Sequence, residues 1–118
     1  MEAELKRGDI IYVDLEPIRG SETGKKRPCV VIQNDVGNKY SPTTIVAVVT
    51  SQKELAKEYP TDVWVNKGEG DLHFASIVLC DQIRTIDRRR IIKKIGRINA
   101  VIMKKINKAI KVSLDLSE

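Results

Sequence analysis

Arg27 and Thr50 are the residues of this chain whose types and positions suit chemistry on a phosphodiester. Arg27 closes a polar, cationic loop, Gly20-Ser21-Glu22-Thr23-Gly24-Lys25-Lys26-Arg27, and Pro28 joins it to the apolar run Cys29-Val30-Val31-Ile32. Glycines at 20 and 24 allow a tight turn, and the loop carries charges that can hold an anion. Pro28 fixes its own φ and biases Arg27 towards an extended backbone, so the guanidinium stands on a stiff base. A planar fork held in this way reads a phosphate with little entropy lost per hydrogen bond. Thr50 ends the β-branched run Thr43-Thr44-Ile45-Val46-Ala47-Val48-Val49. If the strands that begin at Arg27 and end at Thr50 are antiparallel neighbours, guanidinium and hydroxyl emerge at one edge of a sheet. Threonine is also a common strand residue for packing reasons alone.

Elimination narrows the reaction. The one histidine, His73, lies in a loop with no second imidazole to form an acid–base pair, which excludes a histidine-pair ribonuclease. The carboxylates are scattered, without the spacing that holds two catalytic metal ions. Cys29 and Cys80 lack a basic partner, the serines lack a nucleophile-elbow sequence, and the 20–24 loop lacks the spacing of a nucleotide-binding phosphate loop. One reaction needs neither metal nor histidine: attack of an RNA 2′-hydroxyl on its neighbouring phosphate. There the protein mainly aligns the attack and stabilises charge on the phosphate oxygens, tasks for an arginine and a hydroxyl.

The elements that must position these groups follow from the hydrophobic pattern. Alternation from about residue 8 predicts a strand stopped by Pro17 and Gly20. The runs 29–32 and 43–50 suit central strands covered on both faces. The segment 34–42 carries turn residues and makes a long connection. After Pro60, Thr61-Asp62-Val63-Trp64-Val65 alternates as a half-exposed strand, and residues 75–86 read as a strand bent near Asp81. Trp64 is expected in core or dimer packing ahead of base stacking. Arg88-Arg89-Arg90 reads as a solvated turn, with RNA contact as the alternative. Residues 91–96 fit a short helix or a strand. Asn99 is an N-cap signal, and Ile102, Met103, Ile106, Ala109, Ile110 and Leu114 then share one face of a terminal helix opposite its lysines. Several short strands with one good helix predict a mainly β fold with helices (α+β), a small β-barrel.

Composition sets the outer bounds. The 118 residues are expected to form one domain, residues 1–118. A net charge of +5 favours an anionic partner without naming it. No apolar run reaches the ~18 residues of a membrane span, and the charged start lacks a secretory signal, so a cytoplasmic location is expected. Both cysteines read as small buried hydrophobes in a reducing compartment.

The blocks Lys6-Arg7-Gly8-Asp9-Ile10, Asp14-Leu15-Glu16-Pro17, Gly20-Ser21-Glu22, Lys26-Arg27-Pro28-Cys29 through Asp35, Ser41-Pro42-Thr43 and Asp81-Gln82-Ile83-Arg84-Thr85-Ile86-Asp87 occur in an order and spacing that resemble the MazF/PemK toxins, close to the EndoA branch. The resemblance implies an SH3-like barrel with a C-terminal helix, acting as a homodimer. It implies sequence-specific cleavage of single-stranded mRNA without metal or cofactor, leaving a 2′,3′-cyclic phosphate and a 5′-hydroxyl. An acidic antitoxin protein would inhibit it by laying a disordered tail over the RNA groove, and operator DNA would be bound only together with that antitoxin. Arg27 corresponds to the catalytic arginine and Thr50 to the catalytic threonine, while Ser21, Glu22, Pro28 and Gln82 fall at substrate-binding positions. Because arginine stays protonated near neutral pH, Arg27 is expected to stabilise the phosphorane or donate a proton late, not to serve as general base. The segments 25–26 and 51–60, which line the groove in the family, vary among relatives, so the recognised sequence does not transfer. The rival reading is a barrel of the same shape that binds RNA, or poisons a protein target such as gyrase, without cutting.

Overall fold

The computed structural model describes residues 4–17, 19–21, 25–54 and 57–117. Strands β1 (Asp9–Asp14), β2 (Lys26–Val31), β3 (Thr43–Ser51), β4 (Asp62–Val65), β5 (Ser76–Asp87) and β6 (Ile91–Arg97) form one sheet in the order β4-β5-β3-β2-β1-β6. Every pairing is antiparallel. The α+β class and the terminal helix agree with the sequence reading. The hydrogen-bonded sheet stays open, however, with β4 and β6 as its edges. Period-2 patterning assigns each residue a face but does not dictate whether the outermost strands meet.

The register explains the continuous apolar runs. Ile10 pairs with Val30 and Val30 with Ala47, which puts these three on one face; Ile11, Cys29 and Val48 align in the same way on the other. Each face has its own core. The first is covered by α2 (Ala100–Leu114), which buries Ile102, Ile106 and Ala109 against Ile10, Val49, Val78 and Cys80. The second gathers Leu5, Val13, Leu15, Val46, Ile86 and Ile91 around Cys29 and Val48. β2 and β3 are therefore apolar at successive positions because neither face meets water.

Local signals set the helix ends. Asn99 Oδ1 accepts from the Ile102 N–H at 2.9 Å, and Asp115 ends α2 with a left-handed φ of 55°. The 34–42 connection contains a helix, α1 (Asp35–Tyr40), that the turn composition concealed. Asn34 caps it by accepting from the Gly37 N–H at 2.8 Å. Buried Asn38 accepts from Thr44 Oγ1 at 2.7 Å and donates to the Gln33 carbonyl at 2.9 Å. The first bond ties the short helix to β3 and the second to the chain just after β2, so tertiary contacts stabilise what six residues could not stabilise alone.

β5 is one strand whose register against β3 shifts where the sequence predicts a bend. Ala47 pairs with Ile83 but Val48 with Leu79, leaving Cys80, Asp81 and Gln82 outside the β3 register. Residues 91–96 settle as strand. The arginine run forms a 3-10 turn (Arg88–Arg90) that is largely engaged with the protein itself: Arg88 donates to the Asn38 carbonyl, Arg89 to the Asp87 carboxylate, and Arg90 to the carbonyls of Asp14 and Glu16.

Candidate active site

Arg27 stands at the start of β2 and Thr50 near the end of β3. Because Cys29 pairs with Val48 in antiparallel register, two further steps bring residue 27 level with residue 50 on the same face. The side chains meet: Arg27 Nη1 donates to Thr50 Oγ1 at 3.0 Å. Thr50 is buried and Arg27 half-buried, so the pair is fixed by its surroundings yet reachable from a groove of about 730 Å³. Pro28, opposite Tyr12 on β1, lines the same groove.

The groove is built from distant parts of the chain. Lys25, Lys26 and Arg27 come from the entrance to β2, Lys93 and Lys94 from β6, and Asp71 supplies the carboxylate. This excess of positive charge in a concave wall focuses the field on a polyanion. Lys94 is oriented by Asp9, which is fully buried at the start of β1. The Asp9 carboxylate takes Lys94 Nζ at 3.2 Å, Arg97 Nη1 at 3.0 Å and the Lys6 N–H at 2.9 Å. Another part of the wall is a loop from the 3-10 turn Glu69–Asp71 through His73 and Phe74. It is seated on β6 by glycines: a Cβ on Gly96 would lie 2.2 Å from the Gly70 carbonyl oxygen, and one on Gly70, at φ +57°, 2.3 Å from Ile10 Cδ1. At Gly96 the obstacle is backbone, whereas at Gly70 a side chain would have to displace the end of the buried Ile10 side chain and adopt a left-handed φ.

The thiols stay protonated. Burial pushes Cys29 up to about 12 against the opposing pull of Arg84 and Arg27, and burial, with Asp62 and Asp81, takes Cys80 to about 12. Neither is a nucleophile near neutral pH. Among the described residues, no three His, Cys, Asp or Glu side chains gather where they could hold a metal ion.

Of the residues singled out in the sequence, Arg27, Pro28 and Thr50 share this groove. Ser21 sits exposed in the turn that follows Gly20, and Glu22 lies outside the described residues. Gln82 falls in the β5 irregularity and is not among the described residues that line the groove. Of the 51–60 segment Ser51 lines the groove, whereas Glu58 and Tyr59 line a second groove of about 630 Å³ between β4 and α2, with Trp64, Lys105 and Lys108. The Trp64 indole N–H is buried there without an acceptor among the described residues. Sequence reasoning missed Tyr12, Phe74, Lys93 and Lys94. The visible signal for Phe74 was one aromatic residue in a polar loop immediately before a strand.

The profile of the PemK-like, MazF-like toxins of type II toxin–antitoxin systems matches residues 6–114. The chain is 46% identical over 112 residues to the endoribonuclease MazF of Staphylococcus saprophyticus, covering 95% of this chain and 92% of that protein. It is 45% identical over 112 residues to the endoribonuclease EndoA of Bacillus subtilis, covering 95% and 96%. Among solved structures, MazF from Deinococcus radiodurans superposes with a TM-score of 0.82 at 23% identity, covering 97% of this chain and 99% of that one. A mycobacterial endoribonuclease in complex with its cognate antitoxin gives 0.79 at 20% identity, covering 97% and 98%. The chain belongs to the PemK/MazF toxin family of type II toxin–antitoxin systems.

Proposed function

We propose that this chain is a sequence-specific, metal-independent endoribonuclease that cuts single-stranded mRNA within its groove. The observation that carries the reading is the Arg27–Thr50 pair, joined at 3.0 Å in a concave, cationic wall. The identity of 45–46% to named endoribonucleases supports it. In the reaction the 2′-oxygen bonds to phosphorus as its proton leaves, and the P–O5′ bond breaks as the departing oxygen gains a proton. The products are a 2′,3′-cyclic phosphate and a 5′-hydroxyl. Arg27 offers N–H groups to the non-bridging oxygens as charge accumulates on them, and the Thr50 hydroxyl orients the guanidinium and faces the same phosphate. Lys25, Lys26 and Lys93 neutralise neighbouring phosphates. Ser21, Glu22 and Pro28 act as substrate-binding residues.

Gln82 is a substrate-binding residue, and the protein acts as a homodimer. An acidic antitoxin competes for the cationic groove, operator DNA is bound only with that antitoxin, and the protein acts in the cytoplasm. Among the described residues no helix is long and apolar enough to cross a membrane. The test is incubation of pure, folded protein with a long RNA in excess EDTA. Discrete fragments bearing 5′-hydroxyl ends are expected; intact RNA would refute the assignment and favour a binding protein.

A further inference from the structure

We propose that Phe74 is a stacking platform for an RNA base next to the scissile phosphate, an inference that rests on the endoribonuclease reading above. Phe74 is the only phenylalanine of the chain, yet it is 65% exposed. A sequence with so few aromatic residues would gain by burying this one. Instead it stands in the wall of the groove that holds Arg27 and Thr50.

Its backbone is pinned on both sides. Ser76 Oγ donates to the Phe74 carbonyl at 2.7 Å, and the Gln52 N–H donates to the Ala75 carbonyl at 3.0 Å. Upstream, the Gly68 N–H donates to the Leu72 carbonyl at 2.8 Å. Ser76 pairs with Ser51, the residue after Thr50, so the loop carrying the ring is anchored beside the Arg27–Thr50 pair. Ordering of that loop is already met in the free protein, which leaves more of the stacking energy for binding. A base splayed from single-stranded RNA has an exposed π face, and an aromatic ring among cations is the surface on which such bases stack. Lys93 of the same groove lies ready for a flanking phosphate.

For the test, the cut site is mapped by sequencing the 5′-hydroxyl ends that wild-type protein makes from a long RNA. A short RNA spanning it is then prepared with one base at a time removed on either side of the cut. Phe74→Ala and Phe74→Leu should lower kcat/KM about 5- to 150-fold, while Phe74→Tyr and Phe74→Trp retain most of it. Removing the stacked base should cost wild type that same factor and cost Phe74→Ala little more. Leucine keeps the apolar bulk, so a merely structural role would leave Phe74→Leu active and overturn the proposal. Equal sensitivity of wild type and Phe74→Ala to every base removal would also overturn it, with the nuclease assignment intact. So would a Phe74→Ala protein that cleaves normally but escapes inhibition by an acidic antitoxin peptide, since the ring would then serve the antitoxin. Failure of wild type itself to cut RNA removes both assignments together.

Discussion

Thr50→Val and Arg27→Ala, alone and combined, test the centre of the proposed mechanism. Valine keeps the β-branched shape of a side chain that is only 6% exposed, so the strand should pack as before and only the hydroxyl is lost. That hydroxyl accepts a bond of 3.0 Å from Arg27 Nη1. Hydrogen bonds to charged groups contribute about 1.5–3 kcal/mol, so Thr50→Val should slow cleavage roughly 10- to 150-fold through a less well-aimed guanidinium. Arg27→Ala removes the donor itself, and loss of one transition-state donor costs about 10²–10³-fold in kcat. If both residues act on one phosphate through one contact, the double variant should be little slower than Arg27→Ala. The assay is single-turnover cleavage of a labelled RNA in excess EDTA, with melting curves to confirm that each variant is folded. Near wild-type rates for both single variants would refute the mechanism, and a strictly multiplicative double variant would refute the coupling.

Three further outcomes follow from the structure. Gly96→Ala should destabilise the fold by about 1–3 kcal/mol, because its methyl would overlap the Gly70 carbonyl oxygen at 2.2 Å, and denaturant titration measures this. Asp9→Asn leaves Lys94 and Arg97 without their buried carboxylate, but both are well exposed and can rehydrate; the expected loss is about 1–3 kcal/mol, and RNA affinity measured at low salt should change through the released Lys94. The thiols should resist alkylation at pH 8 until the chain unfolds. Since folding raises Cys29 and Cys80 from 9.0 to about 12, their contribution to stability is complete below about pH 9 and lost as pH rises towards 12. A Cys29→Ala, Cys80→Ala double variant should show a flatter alkaline limb in thermal melts.

Arg27 and Thr50 were legible because strand parity is a local property. Two β-branched runs, one opened by Arg27-Pro28 and the other closed by Thr50, needed only antiparallel neighbourhood to bring their ends together, and the Cys29–Val48 register supplies it. The Asn99 cap and most of the apolar face of α2 were legible for the same reason, although Leu114, expected on that face, is exposed at the helix end. The rest of the groove was not. Tyr12, Lys93 and Phe74 come from β1, β6 and the loop before β5, and only the strand order places them around one cavity. The residues 91–96 were ambiguous because Ile91, Ile92 and Ile95 suit either period; pairing of β6 with β1 decides for a strand. α1 escaped notice because its stability comes from the Asn38 bonds to Thr44 and Gln33 and not from helix propensity. Nor could alternation reveal that Arg88 and Arg90 are occupied by backbone carbonyls on other elements.

The close approach of Gly70 to Gly96 fixes how near the loop before β5 lies to β6. At Gly96 the obstacle is backbone, the Gly70 carbonyl oxygen, so an added carbon there would push loop and strand apart. What projects from the loop, at His73 and Phe74, can therefore differ without disturbing the glycine contact that seats it on β6.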